Sequence, residues 1–169
     1  MRGLACWTLG ALLAAGSLGC DHGSKSANSW DDPATTSVSV DDREMNAVIA
    51  EARRTIGEFK SRIASPAATR TQASIKAKFE EAGKVEHIWL DDVRVTQDSF
   101  EGVIGNTPVD IDRLKLGETV RVRLEDISDW MIVDDGKLIG GRSIRLFRSR
   151  MKPDERAAFD REMPFKIED

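Results

Sequence analysis

Cysteine is almost absent from this chain: its 169 residues hold two, Cys6 and Cys20. The stretch after Cys20 therefore has no thiol, which excludes from it a disulfide, a thiolate nucleophile and a cysteine-ligated zinc site. Histidine is equally scarce, with only His22 and His87. A single histidine in the part that reads as folded is a thin basis for a metal centre, and its surroundings match no zinc spacing, so no metal is expected. No cofactor-binding motif occurs and no cofactor is expected. An excess of positive charge is missing too: 25 Lys and Arg stand against 29 Asp and Glu, a net −4. Mixed, mildly acidic charge argues against nucleic acid as a partner. The one long apolar run, Leu4 to Ala15, is too short and too poorly flanked for a stable membrane span.

That run has a different use. Arg2 precedes it, and small residues lead from it to Cys20, the layout of a bacterial secretory signal peptide over 1–19. Ser17-Leu18-Gly19-Cys20 resembles the lipobox of bacterial lipoproteins, whose cysteine is acylated and becomes the new N-terminus. Ser17 stands where that motif usually has leucine; an ordinary secretory signal cut nearby is the alternative. The resemblance implies lipidation at Cys20 and a membrane partner through that anchor, in the cell envelope and facing the periplasm. Asp21 resembles the inner-membrane retention signal of enteric bacteria, but the choice of inner or outer membrane stays open. Cleavage removes one arginine and no acid, leaving 24 basic against 29 acidic side chains.

Residues 20–40 are rich in Ser, Asp, Asn and Thr and poor in apolar side chains. Such a segment cannot offset its ordering entropy and reads as a flexible tether, His22 and Trp30 included. From 41 to 169 the pattern is that of a single domain. Met45, Val48, Ile49, Ala52, Ile56, Phe59 and Ile63 recur at helical steps, predicting one amphipathic helix over about 42–64, capped by Asp41 or Asp42 and stopped by Pro66. The period then drops to two. Ile75, Ala77 and Phe79 alternate with Lys76 and Lys78, and strands follow in "VEHIWLDDVRV", "SFEGVIG", "GETVRVRLED", "WMIV" and "KLIG". Asp134-Asp135-Gly136 is a strong hairpin signal. Ile144, Phe147 and Met151 mark a helix, and Pro153 with Asp154 and Glu155 opens another. The expectation is an α+β fold: an antiparallel sheet of about five to six strands, with barrel-like curvature as one form, an N-terminal amphipathic helix and C-terminal helices.

His87 is the first residue to weigh. Strand alternation puts Val85, His87 and Trp89 on one side and Glu86, Ile88 and Leu90 on the other. Glu86 therefore cannot orient His87. The leading expectation is a packed imidazole beside Trp89, bonded to a backbone carbonyl and desolvated. The alternative is an envelope hydrolase in which His87 works with Asp126 or Asp129 and one of Ser99, Ser128 or Ser143. A carboxylate pair such as Glu86 with Asp126 is a further possibility. At "EDISDWMIVDDGKLIGG", Asp126, Ser128 and Asp129 either cap backbone N–H groups at a bend or line a pocket, with Trp130 as stacking surface and Gly140-Gly141 admitting close approach. Arg142, Arg145, Arg148, Arg150 and Lys152 form a basic run, either paired with nearby acids or facing anionic headgroups.

The blocks "VEHIWL", "FEGVIGNTP", "LKLGETVRV", "ISDWMI" with the following "GK", and "GGRSIR", in that order, resemble the YegJ-like family of small bacterial proteins, a domain of unknown function, over about 42–160. The resemblance implies no reaction and no catalytic residue. It marks Glu86, His87, Trp89, Asp129, Trp130, Gly140 and Gly141 as motif positions and so as candidate binding residues. The functional expectation is a non-catalytic binding or interaction module with an unknown periplasmic protein or ligand as partner.

Overall fold

The computed structural model describes residues 42–168. The signal peptide expected over 1–19, the lipidation expected at Cys20 and the tether expected over 20–40 lie outside them.

The N-terminal periodicity forms helices because one face can be buried, but two form rather than one: α1 (Arg43–Arg54) and α2 (Ile56–Ala64). Asp42 caps α1 by accepting the Met45 N–H at 3.0 Å. The break falls at Thr55, whose hydroxyl donates back to the Glu51 carbonyl at 2.8 Å. Hydroxyl back-bonding of this kind competes with the helical ladder and bends it. Gly57, the residue that breaks helices by propensity, lies inside α2.

Six strands follow: β1 (Arg70–Glu81), β2 (Lys84–Val95), β3 (Ser99–Ile104), β4 (Thr119–Arg123), β5 (Ile127–Asp134) and β6 (Lys137–Gly140), then α3 (Arg142–Arg150) and α4 (Pro153–Glu162). The sheet is antiparallel with order β4-β3-β2-β1-β5-β6. This is the expected α+β class, and the sheet is open, without a β4–β6 ladder to close a barrel. Local turns make the β1–β2 and β5–β6 hairpins; Asp135 and Gly136 both take positive φ, 50° and 68°, as a two-residue hairpin turn demands. Pairing of β1 with β5 crosses the chain and puts β1 at the centre.

The two faces of the sheet are covered unequally. One packs Ile75, Ala77, Ile88, Leu90 and Trp130 against Ala52, Ile56 and Phe59 of the helices, with Ile111 and Leu114 folded in from residues 105–118. The other packs Trp89, Met131, Val133 and Leu138 against Ile144, Met163, Phe165 and Ile167. Every residue of β5 from Ile127 to Val133 is consequently buried, because this strand is sandwiched on both sides. The second cover stops near Trp89: Val85, two positions back on the same face, is 50% exposed.

Candidate functional site

The register assembles a polar row on that partly covered face. His87 pairs with Lys78 across β1 and β2, and Trp89 with Lys76. Lys76 pairs in turn with Asp129 on the far side of β1. One rung further along, the Ser74 hydroxyl and the Gln72 amide donate to Asp91. Ser128 is the extra residue of a β-bulge, since Lys76 faces Asp129 while its neighbour Ala77 faces Ile127. Its hydroxyl donates to the Lys76 carbonyl at 3.2 Å.

Asp129 is wholly buried, yet its carboxylate accepts the N–H groups of Trp130 (2.8 Å), Arg142 (3.2 Å) and Ser143 (2.7 Å) and the Ser143 hydroxyl (2.7 Å). Two of those N–H groups open α3, so the carboxylate sits at a helix N-terminus and welds it to β5. Burial pushes the Asp129 carboxyl above its ordinary range, against these hydrogen bonds, which draw it down. Of the roles open to Asp129, capping backbone N–H groups is the one this geometry performs. Trp130 is core: its Nε1 donates to the Thr55 hydroxyl at 3.1 Å, its ring lies 5.8 Å from that of Phe59, and the Arg142 guanidinium covers it at 5.0 Å. It presents no free stacking surface, because Thr55 and Phe59 of the N-terminal helices and Gly140 and Arg142 close around it. Close approach at the glycines is to this same residue. A Cβ on Gly140 would fall 2.5 Å from the Trp130 carbonyl oxygen, at a φ of 72°. Gly140→Ala should therefore destabilise the domain by about 2 kcal/mol, read as a lower urea midpoint at constant slope. Gly141, φ 59°, packs its backbone on Leu138.

Glu86 is buried on the helix-bearing face, where its carboxylate accepts the Val109 (3.0 Å) and Asp110 (2.9 Å) N–H groups and pins residues 105–118 to β2. Trp89 is 6% exposed, with the Lys76 ammonium 5.4 Å from its ring centroid. His87 departs from expectation in one respect. It is half-buried beside Trp89, but its ring makes no hydrogen bond to a described residue. Burial, followed by the charges of Lys76, Lys78 and Arg53, pushes its pKa down to about 4, so the ring is neutral near pH 7.

The hydrolase constellation is not brought together. β1 lies between β2 and β5, which separates the His87 and Asp129 backbones by about 10 Å and interposes the lysines. Asp126 bonds Arg123, Ser143 serves Asp129, Ser128 serves β1, and Ser99 bonds Thr96. Glu86 and Asp126 likewise hold separate partners. The basic run of α3 is also consumed inside the fold. Arg145 donates to the carbonyls of Gly140, Leu138 and Glu168, Arg148 pairs with Asp160, and Arg150 grips Asp42 and Glu44, holding the Asp42 carboxyl down at about 2. Arg145 and Arg148 are thereby withdrawn from any lipid-facing surface. What sequence reasoning missed is Lys76, Lys78, Ser74 and Asp91 as members of one face; only the β1–β2 register reveals that. Among the described residues no three His, Cys, Asp or Glu side chains cluster as a metal would need.

The class these observations define is a small α+β domain whose motif residues are mostly joints, with one polar strand face left partly open. The chain belongs to the family described as uncharacterized protein conserved in bacteria (DUF2314), whose model matches residues 42–167. It is 38% identical over 71 residues to the uncharacterized protein YegJ of Escherichia coli K12, covering 42% of this chain and 46% of YegJ. It is also 36% identical over 92 residues to a putative ankyrin repeat protein of Neisseria meningitidis serogroup B, covering 52% of this chain and 36% of that protein. The chain thus spans less than half the length of either curated relative. No solved structure matches it.

Proposed function

We propose that this protein is a lipid-anchored envelope protein, held at Cys20, whose domain is a non-catalytic binding module presenting the β1–β2 face around His87 to the periplasm. The observation that carries the binding reading is an asymmetry of use. Glu86, Asp129, Trp130, Gly140 and Gly141 are engaged in holding the fold, whereas Lys78 of β1 and Val85 and His87 of β2 stand at a partly open face. Polar side chains lining an open strand face beside a buried tryptophan make a recognition surface with a rigid backing. The anchor reading rests on the Ser17–Cys20 motif and the apolar run before it.

Both readings are tested in one set of strains. A photo-crosslinking residue at Val85 should give a discrete adduct in the envelope that Lys78→Glu abolishes without lowering the melting temperature, and one at Val109, on the far loop, should give none. An adduct pattern indifferent to Lys78 would sink the binding face. Palmitate labelling should require Cys20; equal labelling of Cys20→Ala would refute the anchor.

A further inference from the structure

β1 outruns the strand beside it. Its last rung with β5 joins Ala77 to Ile127, whereas its ladder with β2 continues to Glu81. Residues 78–81 therefore hold a described strand on one side only. Trp89 turns its backbone toward β3, donating to the Asn106 side-chain oxygen and accepting the Gly105 N–H. Its ladder partner Lys76 accordingly points N–H and C=O away from β2, and by alternation Lys78 and Glu80 do the same. The outer edge of β4 is a second unpaired rail, since β4 ends the sheet. Ile104 donates to the Glu118 carbonyl, which by alternation turns Val120 and Val122 into the β3 ladder and leaves the backbone groups of Arg121 and Arg123 facing outward. The sheet curls enough for the two rails to share a groove of about 560 Å³, the size of an ordinary ligand cleft, lined by residues 78–80 and 120–123 with Arg113 and Asp126. Its side chains divide by face. Phe79 and Val122 belong to the helix-side core and Val120 packs against it, while Lys78, Glu80, Arg121 and Arg123 stand on the opposite face.

We propose that this groove binds an extended peptide by strand addition, the peptide carrying acidic side chains alternating with apolar ones. Its backbone pairs with the outward N–H and C=O groups of both rails. Its period of two sends apolar side chains onto Phe79, Val120 and Val122 and acidic ones toward Lys78, Arg121 and Arg123. The charge of the peptide follows from the lining, where Lys78, Arg113, Arg121 and Arg123 stand against Glu80 and Asp126, four cations to two acids. Each cation has an acid in reach: Lys78 meets Glu80, Arg113 meets Glu81, Arg121 meets Glu101, and Arg123 meets Glu125 and Asp126. All four cations are exposed, so water and salt screen these pairs. Glu81, Glu101 and Glu125 lie outside the groove, which itself keeps the cationic excess. A second copy of the chain fits poorly. Two β4 edges meeting antiparallel would bring Arg121 and Arg123 of one copy against those of the other, like charges directly opposed. The groove meets the His87 face at Lys78 but is a separate surface and does not depend on it.

The test uses the full chain and a short capped peptide of alternating glutamate and valine, with binding read by fluorescence anisotropy and amide hydrogen exchange. Binding should be saturable and should slow exchange at the Arg121, Arg123, Lys78 and Glu80 amides. The same composition with glutamates and valines in separate blocks should bind about tenfold more weakly, as should a peptide with lysine in place of glutamate. N-methylation of alternate peptide residues, which removes the pairing N–H groups from one edge, should weaken binding by a similar factor. Arg121→Glu should cost about tenfold, while Arg121→Lys, with the charge kept, should retain most of the affinity. Arg123→Glu, at the next outward position, supplies the same test if Arg121→Glu lowers the urea midpoint. Equal binding of the block or lysine peptide, unchanged exchange along β4, or full affinity in a folded Arg121→Glu protein would overturn the proposal. If the Val85 adduct persists through such a failure, the His87 face stands and only this groove falls. Peptide binding without a Val85 adduct separates the two the other way.

Discussion

Asp129→Ala should destabilise the domain by about 4 kcal/mol, a large part of the stability of a protein this size. The alanine leaves three backbone N–H groups and the Ser143 hydroxyl without their acceptor in a site with no solvent exposure. Those groups join Trp130 of β5 to the first turn of α3, so the loss falls on the joint that closes the second face of the sheet. Asp129→Asn keeps one acceptor oxygen and replaces the other with an amide donor that the facing backbone N–H groups cannot accept. It should lose about half as much. Urea unfolding followed by tryptophan fluorescence measures both, with the midpoint falling and the slope unchanged. A loss below about 1 kcal/mol for Asp129→Ala would mean that water replaces the carboxylate, and that this joint does not organise the fold.

Stability of the wild type should fall as pH drops from about 6.5 to about 4, and His87→Gln should flatten that fall. The sign follows from linkage. Burial and then Lys76, Lys78 and Arg53 depress the folded-state pKa of His87 to about 4, from an ordinary 6.5. Between those values the unfolded chain binds a proton that the folded chain refuses, so stability rises with pH across the window. The full difference is about 3 kcal/mol. Asp129, raised by burial, contributes a slope of opposite sign, but wild type and His87→Gln share it and the comparison cancels it. Asp42 titrates below the window, near 2, where its partner Arg150 holds it. Parallel stability–pH curves for the two proteins would show that the imidazole protonates freely in the folded state.

Much of the architecture was legible because local chemistry carries it. Alternation along Ile75–Phe79 and Glu86–Leu90 specified which side chains turn inward, since a strand's period of two leaves no other arrangement once one face is buried. Asp135-Gly136 specified a hairpin through its tolerance of positive φ, and Pro153 with Asp154 and Glu155 specified a helix start; Glu155 does accept the Lys152 N–H, at 3.1 Å. The helix break at Thr55 was not legible. It depends on a hydroxyl that bonds back to Glu51 while accepting from Trp130, 75 positions away.

The same division runs through the motif residues. Sequence alone determined that His87 and Glu86 take opposite faces and that no thiol follows Cys20. Only the tertiary structure decided what each motif residue meets. Asp129 could cap, line a pocket or orient a base until the β5–α3 contact filled its lone pairs with N–H donors. Gly140 could admit a ligand or a neighbour until Trp130 occupied the space. Lys76 and Lys78 read as the solvated side of a strand until pairing with β2 set them beside His87. Periodicity reports which way a side chain faces, because that follows from the backbone's own geometry. What it faces depends on strand pairings and helix docking between segments far apart in the chain, and those are set by the burial of the whole core.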